Sequence, residues 1–164
     1  MVVLKKIVVA TDFSEASDAA LSYGRELART FGATLHVLHV VDNVMARAAT
    51  EFAFAAYPEV QTQIEDAART RLNTLLSEED REKLRATAIL RTSMAPATAI
   101  ADYAKEERVD LIVMGTHGRG AVAHFLLGSV AERVVRSAPC PVLTVRSPER
   151  EFVVPDALVA VAKA

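Results

Sequence analysis

The sequence predicts one doubly wound α/β domain of 164 residues, a five-stranded parallel sheet in the order 3-2-1-4-5 with helices on both faces. Three observations predict it. Short apolar runs rich in β-branched residues recur along the chain, nearly continuous, as in strands buried on both faces. Between them lie stretches whose apolar residues return at helical spacing. Strands joined by helical crossovers run parallel, with helices covering the two faces of the sheet.

Strand one is expected over Leu4–Ala10, where Ile7-Val8-Val9-Ala10 is apolar and Thr11-Asp12-Phe13-Ser14 ends it. Ser14 suits a helix cap, with Glu15 in the first turn. Ala20, Tyr23, Leu27 and Phe31 follow at helical spacing, and Gly32 fits the position just past the helix end. Thr34–Val41 reads as strand two. Asp42–Tyr57 has no clean period and reads as a long connection with some helical content.

Pro58 suits a helix start, and Val60, Ile64, Ala67, Ala68, Leu72, Leu75 and Leu76 form one apolar stripe. Glu78–Arg85 reads as charged and solvated. Thr87–Arg91 is strand three, and Pro96 opens a helix through Glu107 with Ile100, Tyr103 and Ala104 on one side. Val109–Met114 is strand four, and glycines and a helical stretch fill Gly115–Ser137. Cys140–Val145 is strand five, and 147–164 a tail. The arrangement is Rossmann-like, with no internal repeat and no low-complexity linker.

Composition excludes several function classes. Hydrophobic residues at 51 % and charged residues at 24 % exclude intrinsic disorder. A domain this size buries on the order of 70 % of its unfolded surface, so it needs no disulfide or metal to fold. Cys140 is the single cysteine, which excludes an internal disulfide framework. With 19 basic and 21 acidic residues and no basic block, the footprint of a duplex-DNA binder is absent, and no nucleic-acid partner is expected. No segment approaches the roughly 20 apolar residues that span a bilayer. Lys5 and Lys6 precede only Ile7–Ala10, short of the roughly 7–15 apolar residues of a secretory signal. A cytoplasmic, soluble protein without a membrane partner is expected.

In such a sheet, ligands bind outside the carboxyl ends of the strands, at the switch in strand order. Two strand ends stand out: Ala10-Thr11-Asp12, and Met114-Gly115-Thr116-His117-Gly118-Arg119-Gly120. Glycines there let the backbone approach a ligand, and successive bare N–H groups can cradle an anion. Gly128-Ser129 interrupts a helical pattern that resumes at Val130, and a helix N-terminus there would offer N–H groups and a positive dipole end to phosphate.

Two familiar motifs fail. A Walker A loop needs Lys and Ser/Thr after the second glycine, and Ala121 and Val122 stand after Gly120. The dinucleotide fingerprint fails because Ala123 occupies the third glycine position after Gly118-Arg119-Gly120, and the loop follows strand four rather than strand one.

What is present is Gly115-x2-Gly118-x9-Gly128-Ser129, with Thr11-Asp12-Phe13-Ser14 ending strand one and Leu38-His39-Val40 ending strand two. Asp110-Leu-Ile-Val-Met-Gly115 leads into the loop, and Ala138-Pro139-Cys140-Pro141-Val142-Leu143-Thr144-Val145 closes the core. With these residues the chain resembles the universal stress protein family, on the nucleotide-binding branch marked by G-x2-G-x9-G-[ST]. The resemblance covers roughly Leu4 to Arg146, which divides the chain into a nucleotide-binding domain, 1–146, and a C-terminal tail, 147–164. One departure is that Met94 stands two residues before Pro96, where the family often has glycine.

The resemblance implies an ATP-binding α/β domain, usually a homodimer through the last strand, here Pro141–Val145, acting in stress response or regulation. Carried over, Asp12 and Val40 would contact the adenine end, and Ala10, Thr11, Met114 and Gly115 would line the nucleoside. Gly118, Gly128, Ser129 and Val130 would hold the phosphates, with His117 and Arg119 in the same loop able to approach them. A Mg²⁺ ion could accompany the phosphates, held partly by them and by water.

Each residue also has a plainer reading. Asp12 could merely begin the turn before the first helix, and the glycines could serve turns alone. His36 and His39 stand three apart on a strand, hence on opposite faces, and cannot easily share a metal. Cys140 between prolines reads as a buried structural thiol. No carboxylate pair and no nucleophile motif is placed at the glycine loop. Three functions stay open: an ATP-binding regulatory module, a slow ATPase or nucleotidyl-transfer enzyme of the related adenine-nucleotide-binding group, and a nucleotide-free interaction protein.

Overall fold

The structure is a computed structural model that describes residues 1–47, 57–116 and 127–147. Its five strands are β1 (Lys6–Ala10), β2 (Thr34–Val41), β3 (Thr87–Thr92), β4 (Leu111–Gly115) and β5 (Val142–Val145). All pair in parallel, in the order β3-β2-β1-β4-β5, so the predicted sheet and strand order are present.

Six helices connect the strands among the described residues: α1 (Glu15–Phe31), α2 (Val44–Arg47), α3 (Tyr57–Leu75), α4 (Glu78–Leu84), α5 (Pro96–Glu106) and α6 (Ser129–Ser137). Alternation along each strand sends side chains to opposite faces. On one face Ile7, Val9, Leu35, Val37 and Val113 pack with Ala20, Leu21 and Ala28 of α1, Leu72 of α3 and Leu84 of α4. On the other, Val8, Ala10, Leu38, Ile112 and Met114 pack with Ala97, Ile100, Tyr103 and Ala104 of α5 and Ala131 and Val134 of α6.

Local signals account for most boundaries. Ser14 caps α1 by accepting from the Ser17 N–H, and Gly32 ends it at φ 63°. Strand five begins at Val142 rather than Cys140, because Pro141 offers its carbonyl to the Ile112 N–H but has no N–H of its own. Strand four begins at Leu111 rather than Val109, because Val109 N–H still bonds back to Ala104 of α5. The turn before α5 contains no left-handed residue, so Met94 stands without strain where a related sequence would use glycine. The connection after strand two contains α2; its residues 48–56 lie outside the described ones, as does the tail beyond Ser147.

One expectation holds only in part. Glu78–Arg85 is charged and mostly exposed, but it forms α4, with Asp80 and Leu84 turned inside and a reciprocal capping box between Ser77 and Asp80. Asp80 is 2 % exposed, because Arg25 of α1 grips its carboxylate with Nε and Nη2 and donates a further hydrogen bond to the Leu75 carbonyl.

Candidate functional site

The turn between β1 and α1 is ordered by its own short polar side chains. Asp12 Oδ1 accepts from the Ser14 N–H at 3.1 Å and from the Ser14 hydroxyl at 2.5 Å. Thr11 Oγ1 accepts from the Phe13 N–H at 3.0 Å. The Ser17 hydroxyl donates to the Ser14 carbonyl at 2.8 Å, so the 3.0 Å contact between the Thr11 and Ser17 hydroxyls runs from threonine to serine. Thr11 and Ser17 are both buried. Asp12 therefore does begin the turn, and the turn holds its carboxylate at the carboxyl edge of the sheet.

Phe13 lies in the left-handed region at φ 63°, a conformation that costs a residue of its kind about 1–3 kcal/mol and persists only where surroundings impose it. Here they are visible. The His39 ring lies 4.3 Å from the Phe13 ring, and the Arg71 guanidinium sits 4.5 Å over the same ring. His39 Nδ1 is 2.7 Å from the Thr11 carbonyl, which can only accept, so Nδ1 carries the proton.

Beside this turn a cleft of about 510 Å³ opens where the strand order switches between β1 and β4. Of the residues the sequence singled out, it brings together Ala10, Thr11, Asp12, Val40, Met114, Gly115, Gly128, Ser129 and Val130. Gly118, His117 and Arg119 lie outside the described residues. Ser17, Leu38, His39, Pro96, Ile100, Thr116 and Ala131 line the cleft as well; Leu38, His39 and Thr116 stand in the strand ends the sequence marked but were not expected as ligand contacts, and Ser17, Pro96, Ile100 and Ala131 were not expected at the site. Ser17 sits one turn beyond the cap of α1, Ile100 one turn beyond Pro96, and Ala131 two residues beyond Ser129. In a parallel sheet every following helix starts at the strands' carboxyl edge, so the first turns of α1, α5 and α6 were the available signal.

Two glycines differ in their reasons. A Cβ on Gly115 would lie 2.9 Å from the Ala16 backbone carbon and from Ala16 Cβ, so glycine is required there for α1 to rest on the end of β4. Gly128 needs no such explanation. Its φ of −58° and ψ of 148° suit any residue, and it caps α6 without a side-chain hydrogen bond. The first turn of α6 thus presents backbone N–H groups with no side chain closing them off. Asp12 and His39 are the titratable side chains of the described lining, which contains neither lysine nor arginine. Among the described residues no group of three or more His, Cys, Asp or Glu is gathered as for a metal ion.

His36 stands on the opposite face from His39, with Nδ1 2.6 Å from the Tyr103 hydroxyl. Burial, then the Lys6 charge, push the His36 pKa down, against a weaker pull from Glu107. Burial and then Glu107 push Tyr103 up to about 12, so its hydroxyl keeps its proton. Burial also raises the Cys140 thiol, which gives it no thiolate character.

A doubly wound parallel sheet with a largely apolar cleft at its switch point, rimmed by helix N-termini, is the architecture of an α/β small-ligand-binding domain. The model of the universal stress protein family matches residues 4–146, and this chain belongs to that family. A universal stress protein of Methanocaldococcus jannaschii is 35 % identical over 158 residues, spanning 90 % of this chain and 85 % of its own. The structure of the universal stress protein UspA from Lactobacillus plantarum matches with a TM-score of 0.74 and 27 % identity, over 89 % of this chain and all of that one. A universal stress protein crystallised in complex with cAMP matches with a TM-score of 0.56 and 25 % identity, over 88 % of this chain and 98 % of its own. Among the described residues no helix is long and apolar enough to cross a membrane.

Proposed function

We propose that this universal stress protein binds an adenine nucleotide, ATP by expectation, in the β1/β4 cleft and acts as a regulatory or stress-response binding module in the cytoplasm. The observation that carries the reading is the cleft itself. Residues chosen from the sequence for a nucleotide, scattered from Ala10 to Val130, line one space of about 510 Å³, ordinary for a small-molecule site. In this reading Asp12 and Val40 meet the adenine, and Ala10, Thr11, Met114 and Gly115 line the nucleoside. Gly118, Gly128, Ser129 and Val130 hold the phosphates, with Mg²⁺ bound through phosphate and water. The apolar wall of Leu38, Val40, Ile100 and Met114 suits a planar base, and the first turn of α6 suits an anion. The relative crystallised with cAMP supports an adenine ligand.

The nucleotide-binding domain would span 1–146 and the tail 147–164. The dimer would form through Pro141–Val145, since β5 is the sheet's edge among the described residues. A ligand would signal only through different affinities of the free and bound forms for another partner.

Freshly purified protein is denatured and the released small molecules identified by mass spectrometry, and the refilled protein is melted with and without ATP. An adenine nucleotide near one per chain is the expected outcome. ATP at about 100 times its dissociation constant stabilises a fold by about 2.7 kcal/mol. In a domain of this size that raises Tm by roughly 5–10 °C. Gly128→Val, tolerated by the backbone there, abolishes the shift. A shift that survives it would mean the cleft is not the site.

A further inference from the structure

We propose that Arg71, on α3 and outside the cleft, is a positioning residue for the ligand. Together with His39 it clamps Phe13 and thereby holds the Asp12 carboxylate where the base would meet it. The inference rests on the reading above that Asp12 contacts the adenine.

Among the described residues, three that are not glycine have positive φ: Phe13, Arg85 and Arg108. Arg85 and Arg108 follow α4 and α5, where a left-handed residue ordinarily ends a helix. Phe13 does not end anything. It sits between Asp12 and the cap of α1, in the middle of the turn that forms the cleft wall. Its conformation is unfavourable locally, so contacts from elsewhere must hold it.

Those contacts come from two other elements. His39 of β2 lies against one side of the ring and is itself tied to the Thr11 carbonyl. Arg71 of α3 sits over the ring, and its Nη2 donates to the Phe13 carbonyl at 3.3 Å. One guanidinium therefore holds both the ring and the peptide that leads into Ser14. The N–H of that same peptide is the Ser14 donor to Asp12 Oδ1. The path from Arg71 to the carboxylate is thus one aromatic ring and one peptide unit long. Releasing the clamp lets Phe13 leave the left-handed region, which turns that peptide and with it the carboxylate's partner. Arg71 is exposed, so its removal leaves the core alone.

The full chain, its Arg71→Ala and Asp12→Asn variants and the double variant are titrated calorimetrically with ATP, and adenosine is titrated as a competitor. Arg71→Ala is expected to weaken both ligands by the same factor, about 2- to 5-fold for a partly exposed cation–π contact. In the Asp12→Asn background it is expected to add nothing. The unliganded variant should melt with the parent. Loss for ATP but not adenosine would mean a long-range pull on phosphate and would overturn the inference, as would losses that add in the double variant. Intact ATP binding in Arg71→Ala overturns it too and leaves the nucleotide reading standing. No ATP binding by the unsubstituted protein would bring down that reading, and this inference with it.

Discussion

At the residue scale the molecule's most committed polar group is Asp80. Its carboxylate is buried, and burial alone would raise its pKa; hydrogen bonds from Arg25 and Ser77 and the Arg25 charge outweigh this and hold it below the ordinary carboxylate value. A group whose folded pKa is depressed stabilises the fold above its unfolded pKa, near 4 for aspartate, and loses that contribution as pH falls through the folded value. Breaking one side of a buried pair costs about 3–5 kcal/mol, because the other charge stays behind without its partner. Arg25 keeps a quarter of its side chain in water, so the low end applies to removing the carboxylate. Asp80→Ala is therefore expected to lower stability by about 3 kcal/mol at pH 7 in urea denaturation. The gap between variant and parent closes below pH 4. A gap that persists at pH 2 would mean the loss comes from the cap of α4 and not from the charge pair.

Elements explain what the sequence showed and what it hid. Strand two was legible to the residue, Thr34–Val41, because its apolar run is broken only by His36 and His39 and ends at Asp42. Helix α1 was legible through Ser14 and Gly32, which act within one turn. Helix α4 was hidden. Its seven residues carry six charges and one large apolar residue, and the reason Asp80 goes inside is Arg25, 55 positions away. The walls that α5 and α6 give the cleft were half legible for the same reason. Gly128 and Ser129 announce a helix start beside the glycine loop, whereas Pro96 announces only a helix start and Ile100 looks like core until the topology brings α5 to the switch point.

Gly24, inside α1, carries a cost of its own that packing explains. A Cβ there would fall 2.3 Å from Val9 Cγ2, itself fully buried. Gly24→Ala returns about 1 kcal/mol of helix propensity. Overpacking costs about 1–3 kcal/mol. The variant is expected to melt roughly 2–4 °C lower, the shift that about 1 kcal/mol gives in a domain of this size. A raised Tm would show that Val9 can turn aside.

At the scale of the whole molecule, β5 is the edge of the sheet at which the proposed dimer would form. The Ile112 N–H bonds to the Pro141 carbonyl, and the Thr116 N–H to the Val145 carbonyl. In a parallel ladder the residues that bond to one neighbour alternate with those that face away. Pro141, Leu143 and Val145 thus face β4, and Val142 and Thr144 turn their N–H and C=O groups outward. Those outward groups are what a second chain would pair with if the proposed dimer forms through Pro141–Val145. Thr144→Pro removes one outward N–H and adds a ring at that edge, without taking a hydrogen bond from the β4 ladder. Sedimentation is expected to give a dimer for the parent and a monomer for the variant, with ATP still bound by both if the cleft belongs wholly to one chain. A variant that stays dimeric would place the contact elsewhere on the molecule. A monomeric variant that also loses ATP would mean that the edge and the cleft are linked through β4, whose Met114 and Gly115 line the cleft on one side and pair with Thr144 and Val145 on the other.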